Sequence, residues 1–410
     1  MLQTRWPAVP IEDLCARVTS GGTPSRSNPA YYDGGTIPWI KTGELRGWYV
    51  DDIAERITPA AVRESSAKVF PPETVLLAMY GDGKTMGSVG LIRTPAATNQ
   101  ACCAMLADPQ KCDPKFLMYS LVYFKPAILK LAISGAQRNL NGKSIKQFAI
   151  GAPPVEVQQR IASILSAYDD LIENNTRRIA ILEEIARRIY EEWFVLFRFP
   201  GHEGVRMVGS ELGLVPEGWS VTTLQDIATI TMGLSPKGDT YNEDADGMPL
   251  INGPVEFGER FTKRVKWTTA PTKLCEDGDL VVCVRGSTTG KYVKSDGVYC
   301  LGRGVCAIRG KFQGFVDQVF AHQLPTLLGQ VGGSTFPSWT GSQLKLHPVL
   351  VPTGKQLDRF EAHAGPMRDA VRAYSRQIEN LRMTRGLLLP KLISGELDVS
   401  AMSEPEALAA

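Results

Sequence analysis

Residues 154–197 read PVEVQQRIASILSAYDDLIENNTRRIAILEEIARRIYEEWFVLF. From Ile161, the positions Leu165, Tyr168, Ile172, Asn175, Ile179, Leu182, Ala186, Ile189 and Trp193 recur at alternating spacings of four and three. That is the seam of a helix that packs along a partner helix. Arg177, Arg178, Glu183, Glu184, Arg187, Arg188, Glu191 and Glu192 occupy the other faces, where water and i,i+4 pairing suit them. A helix of about 35–40 residues is roughly 50–60 Å long, too long for the interior of an ordinary domain. It needs a partner of similar length.

The partner lies in the same chain. From Phe360, the positions Ala364, Met367, Val371, Tyr374, Ile378, Leu381, Arg385, Leu388 and Leu392 repeat the spacing about 200 residues further on. Each stretch opens on a proline with a glutamine four residues later, Pro154 with Gln158 and Pro352 with Gln356. Thr353 and Gln356 also have the spacing of a capping box, which satisfies free amides at a helix start. The two seams predict an intramolecular coiled coil. Asn175 and Arg385 sit at seam positions, where a polar group costs stability and fixes register. Gly365-Pro366 predicts a kink or a split in the second helix, because proline removes an amide from the ladder.

Working outward, the segments before the two helices echo each other. Trp6–Leu14 (WPAVPIEDL) matches Trp219–Ile227 (WSVTTLQDI), and the turn Gly21-Gly22-Thr23-Pro24 matches Gly233-Leu234-Ser235-Pro236. Ile37-Pro38-Trp39-Ile40 matches Met248-Pro249-Leu250-Ile251, and strand-like Val75–Met79 matches Leu280–Val284 with Gly286. Gly142 with Ile145 matches Gly341 with Leu344 just before each long helix. The chain is a module of about 150 residues plus a helix, used twice. Short β-rich runs broken by Gly and Pro make each globule a mixed α/β, or α+β, unit.

Composition is consistent with this. Hydrophobic residues make up 43% of the 410, enough for more than one core, and no run of 18 apolar residues exists. The start of the chain lacks a charged-then-apolar signal pattern. The eight cysteines show no CxxC spacing, which favours reduced packing thiols and a cytoplasmic setting. The four histidines are scattered. Net charge is +2, but residues 1–150 carry 17 Lys and Arg against 12 Asp and Glu, so the first module is mildly basic.

Catalytic patterns do not fit. Ala78-Met79-Tyr80-Gly81-Asp82-Gly83-Lys84-Thr85 approaches a phosphate loop after a strand, but Met86–Ile92 reads as a second strand rather than the helix such a loop requires. A hairpin turn is expected. Ala152-Pro153-Pro154-Val155 shares only its prolines with the tetrapeptide of amino-methyltransferases, and HExxH and nucleophile-elbow patterns do not occur. Asp51-Asp52 and Asp169-Asp170 are read as solvated or capping acids.

Together these features resemble the specificity subunit of type I restriction-modification systems, over nearly the whole chain. The residues that carry the resemblance are Pro154, Gln158 and Ile161, Glu192-Trp193-Phe194-Val195, Val215-Pro216-Glu217-Gly218-Trp219, and Leu388 through Leu397 (LLPKLISGEL). The resemblance implies target recognition domains at 1–152 and 201–350, long spacer helices at 153–200 and 351–397, and a flexible tail at 398–410. Each globule would read half of a split double-stranded DNA target, and the helix pair would set the unread gap. Two methyltransferase subunits using S-adenosylmethionine, and restriction subunits using ATP and Mg, would supply the chemistry, with no cofactor in this chain. A coiled-coil scaffold that binds proteins, and more remotely a P-loop nucleotide site, are the competing readings.

Base reading needs amide and guanidinium groups on loops, with Lys and Arg near phosphate. The expected DNA contacts are Lys41, Lys84, Gln137, Arg138, Asn139 and Lys143 in the first globule, and Arg285, Lys291 and Trp339 in the second. Trp193–Leu196 and Leu387–Leu389 are expected either to help seat the methyltransferase or to form plain core.

Overall fold

Strands in both globules have side chains that point to opposite faces, and each face meets a different core. The computed structural model describes residues 4–81, 85–132, 139–330 and 338–400. The chain divides into two compact units, Met1–Asn174 with Gln377–Ala410, and Asn175–Arg376.

The first unit contains β1 (Ala8–Pro10), β2 (Cys15–Ser20), β3 (Ile37–Ile40), β4 (Arg56–Ile57), β5 (Val69–Phe70), β6 (Val75–Ala78), β7 (Val89–Leu91), β8 (Ala96–Thr98) and β9 (Cys102–Ala107). Helices α1 (Pro114–Leu129) and α2 (Gly142–Gln147) and strand β10 (Ala149–Gly151) lead into the long helix α3 (Val155–Tyr190). One sheet has the order β2-β9-β6-β7, and another β4-β3-β8-β5 with β3 and β8 parallel. Along β6, Val75 and Leu77 join a core built on Phe116, Leu117 and Leu121 of α1, while Leu76 and Ala78 join a second core with Ile40 and Phe70. The period of two in the pleat places one strand between both cores. Ile161 and Leu165 of α3 close the larger core, together with Leu392 and Ile393 from the far end of the chain.

The second unit repeats this plan. It contains β11 (Ser220–Thr223), β12 (Ala228–Met232), β13 (Tyr241–Asn242), β14 (Met248–Ile251), β15 (Trp267–Thr268), β16 (Lys273–Cys275), β17 (Leu280–Cys283), β18 (Tyr292–Lys294), β19 (Tyr299–Leu301) and β20 (Val305–Gly310). Helices α4 (Gln313–Gly329) and α5 (Gly341–Lys345), strand β21 (Pro348–Val351) and the long helix α6 (Gly354–Ser394) follow. The sheets are β12-β20-β17-β18 and β13-β15-β14-β19-β16, with β14 and β19 parallel. β11 pairs with β21 as β1 pairs with β10. The matched glycines have one physical cause: a Cβ on Gly21 would lie 2.1 Å from the Thr98 carbonyl oxygen, and one on Gly233 2.1 Å from that of Gly302.

Each long helix contributes to both units. In the first, Asp169 of α3 ion-pairs with Arg385 of α6. In the second, the Arg178 guanidinium lies 5.5 Å from the Tyr374 ring centre, and Trp193 meets Phe360 edge-on at 6.2 Å. Residue numbers rise along one helix as they fall along the other, so the segments are antiparallel within each unit. Gln158, buried at the start of α3, accepts from the Asp113 amide at 3.1 Å and donates to the Lys111 and Pro153 carbonyls. The Gln356 side chain accepts from the Thr353 amide at 3.0 Å, one arm of the expected capping box.

Helix α6 runs through Gly365-Pro366 as one helix, so of the expected kink or split the split does not occur, and Phe360 and Ala364 stay buried ahead of the proline. One expectation is overturned. Asp169 is not a solvated acid: it is 3% exposed, accepts from the Tyr119 hydroxyl at 2.6 Å and pairs with Arg385. Burial raises its carboxyl above the ordinary value against the pull of both partners. Of the two roles open to the apolar helix ends, Phe194 takes that of core, packed among Tyr190, Trp219, Phe315 and Phe360, whereas Leu196 and Leu387 are exposed. All eight cysteines are free and buried, and burial pushes the thiols of Cys102 and Cys103 up to about 12. Among the described residues, no helix is long and apolar enough to cross a membrane.

Candidate nucleic-acid interface

Two sequence-distant loops meet at the end of the central strand of each globule. In the first, β6 and β7 form the expected hairpin, closed by Gly87 N–H to the Ala78 carbonyl at 2.9 Å. Just past β6, Tyr80 is 39% exposed and Gly81 has φ +148°, a backbone region that favours glycine. The loop entering α2 docks against this end through the Leu140 amide, which donates to the Met79 carbonyl at 3.0 Å. Leu140 is buried as the anchor, and Asn141 caps α2 by accepting from the Ser144 amide at 2.8 Å. Ile145 is buried beneath α2, leaving Lys143 exposed and Lys146 half-buried above. With Thr19, Ser20, Tyr80, Gln100 and Asn141, both lysines line a concavity of about 720 Å³. The Lys68 ammonium is held at its edge by Thr19 Oγ1 and the Ser20 carbonyl, each 3.2 Å away.

The second globule repeats the junction. The Trp339 amide donates to the Val284 carbonyl at 3.0 Å, and the Arg285 backbone forms an isolated antiparallel bridge with Ser338. Gly286 has φ +83°. Thr340 caps α5 by accepting from the Gln343 amide at 3.2 Å, and buried Leu344 leaves Lys345 exposed. Arg303 occupies the place of Gln100 and is exposed, its amide donating to Ser235 Oγ at 3.1 Å.

The expected contacts divide on these facts. Asn139 and Lys143 lie at the first junction and Arg285 at the second. Lys84, Gln137 and Arg138 lie outside the described residues. Lys41 is engaged within its own globule, with its ammonium 2.5 Å from Glu55, whose other oxygen takes Arg26 at 2.7 Å. The Lys41 hydrogen bond, with that of Arg26, holds the Glu55 carboxyl below its usual range. Lys291 lines a separate hollow of about 310 Å³ with Pro254, Phe257 and Gly258. Trp339 is a correction: it is 2% exposed and its indole donates to the Leu327 carbonyl at 2.8 Å, so it is a core residue with no face to offer a base. Lys146 and Lys345, and Gln100 and Arg303, escaped the sequence reading. The Gly142–Gly341 match would have aligned the two lysines.

A family model described as "Type I restriction modification DNA specificity domain" matches residues 4–184. The chain is 28% identical over 420 residues to the type I restriction enzyme MjaIX specificity subunit of Methanocaldococcus jannaschii, covering 97% of this chain and 94% of that protein. It is 27% identical to a putative type I restriction enzyme MjaX specificity subunit of the same organism, covering 71% of this chain and 70% of that protein. Its fold is shared with a crystal structure of the type I restriction-modification system S subunit from M. genitalium, with a TM-score of 0.65, 16% identity and coverage of 95% of this chain and 96% of that one. The duplicated globules, the two shared helices and these likenesses agree: the chain is similar to the specificity subunits of type I restriction-modification systems.

Proposed function

We propose that the chain reads a bipartite double-stranded DNA target, one half per globule, and scaffolds the subunits that act on it. The observation that carries this reading is the duplicated junction, where a turn after the central strand and a loop before a short helix present Lys and Arg on a scaffold fixed by backbone hydrogen bonds. Lys143 and Lys146, and Arg285 and Lys345, have no ion pair among the described residues, as groups that grip phosphate require. Gln137, Arg138 and Asn139 supply amide and guanidinium groups of the kind that read base edges.

The chain is a non-catalytic DNA-recognition subunit. Two methyltransferase subunits carry S-adenosylmethionine, restriction subunits carry ATP and Mg, and the complex works in the cytoplasm. Methylation mapped across the genome of a host that makes this chain with its methyltransferase tests the reading. A single bipartite motif is the expected result, and Arg285→Ala with Lys345→Ala should lower methylation at every copy of it while leaving both half-sites unchanged. Uniform methylation, or a continuous motif, would overturn it.

A further inference from the structure

The repeat creates a pairing problem. The seam of α3 from Ile161 and that of α6 from Phe360 match at a constant offset, so Asp169 corresponds to Arg368 and Ala186 to Arg385. The structure agrees: Asp169 faces Arg385 in one unit, and Ala186 and Arg368 line one cleft in the other. Because the helices are equivalent, α3 could also pair antiparallel with α3 of a second copy, and α6 with α6. Apolar seam positions would accept either arrangement. The charged positions would not. An α3–α3 pair sets Asp169 against Ala186, leaving a buried carboxylate without its guanidinium. An α6–α6 pair sets Arg385 against Arg368.

We propose that Asp169 and Arg385 are the pairing-specificity residues of the helix pair, selecting α3 with α6 in one chain over self-pairing between two copies. Tyr119 is the positioning residue. Its hydroxyl donates to the second oxygen of Asp169 at 2.6 Å, and its ring stacks on Trp48 at 5.8 Å, so α1 holds the carboxylate toward Arg385. A lone charge at a seam fixes partner choice at some cost in stability. Here the second copy of the motif lacks the pair. Gln318 and Ala186 stand where Tyr119 and Arg385 stand, and Arg368 turns to Glu361 at 3.5 Å. That asymmetry makes the device directional, since identical charges in both modules would favour neither arrangement.

The inference rests on the pairing of α3 with α6 and not on DNA recognition, so the two fail separately. The test uses the full chain, refolded at tens of micromolar and sized by light scattering. Arg385→Asp sets two carboxylates face to face within one chain, whereas between two α6 helices the introduced carboxylate meets Arg368. More than half of this variant should run at twice the monomer mass. Adding Asp169→Arg restores an attractive pair inside the chain, where the effective concentration favours it, and should return the protein to monomer. Wild type should be monomeric throughout. An Arg385→Asp chain that stays monomeric, whether folded or destabilised, would show that the pair is only structural, and a double variant that stays dimeric would equally overturn the proposal.

Discussion

A few side chains decide what each globule can touch. Lys146 stands on a helix of one and a half turns, held down by Ile145 and capped by Asn141, so its ammonium is directed by the fold rather than by chance. A phosphate contact from it contributes counterion release and no base preference. Lys146→Ala should therefore weaken DNA binding about equally on all sequences and lower the salt slope by about one, as read from binding isotherms over a range of salt. A loss confined to one base position would make it a base reader instead. His347 poses a different constraint. It is 3% exposed in the second globule, its ring nitrogens lack hydrogen-bond partners among the described residues, and burial depresses its pKa. Below about 6.5, the ordinary value, the unfolded chain takes up a proton that the folded ring resists. The unfolded state then binds more protons, so stability rises with pH through that window and levels off above it. Melting temperatures between about pH 5 and 7 should climb in the wild type, and that climb should shrink in His347→Phe. An unchanged slope would place the acid sensitivity elsewhere.

At the scale of elements, the helices and the repeat were legible because their signals are periodic. A four-three seam persists over many turns, and the matched strands kept their order down to the pairs β3 with β8 and β14 with β19. What escaped the reading was set by tertiary context. Asp169 looks like a surface acid until α1 brings Tyr119 to it, and Trp339 looks like a stacking residue until Leu327 offers a carbonyl. Lys41 looks free until Glu55, fourteen residues on, arrives beside it. Phe194 sits in a π-helical turn, Glu191–Val195, that rotates it inward as the seam ends, a local winding change no repeat predicts. If α3 and α6 together measure the gap, inserting seven residues at matched places in both preserves the seam and adds about 10 Å. The unread gap should then lengthen by roughly three base pairs with both half-sites intact, as methylation mapping would report. Altered half-sites with an unchanged gap would remove the measuring role from the helices.

The core of the first unit is closed by residues 392–399, and this makes its stability non-local along the sequence. Leu392, Ile393 and Val399 are at most 1% exposed and belong to the core that β6 and α1 build, hundreds of residues earlier in the chain. The Arg5 amide donates to the Ser394 carbonyl at 3.0 Å, and the Arg5 guanidinium pairs with Asp398 at 2.7 Å. The salt bridge is exposed on both sides and contributes little. The three apolar side chains matter more, at about 1.5–3 kcal/mol each, a sum comparable to the about 5–15 kcal/mol that holds a typical domain. The core of the second unit, by contrast, draws on Leu357, Phe360 and Ala364 of α6 and, among the described residues, on nothing beyond them. Deleting residues 387–410 should therefore unfold the first globule, at the opposite end of the sequence, and leave the second standing. Limited proteolysis mapped by mass spectrometry reads this directly, with early cuts expected between residues 4 and 150 and protection kept through 201–350. Equal protection of both globules in the truncated chain would mean that β6, α1 and α3 hold the first core without the C-terminal turns.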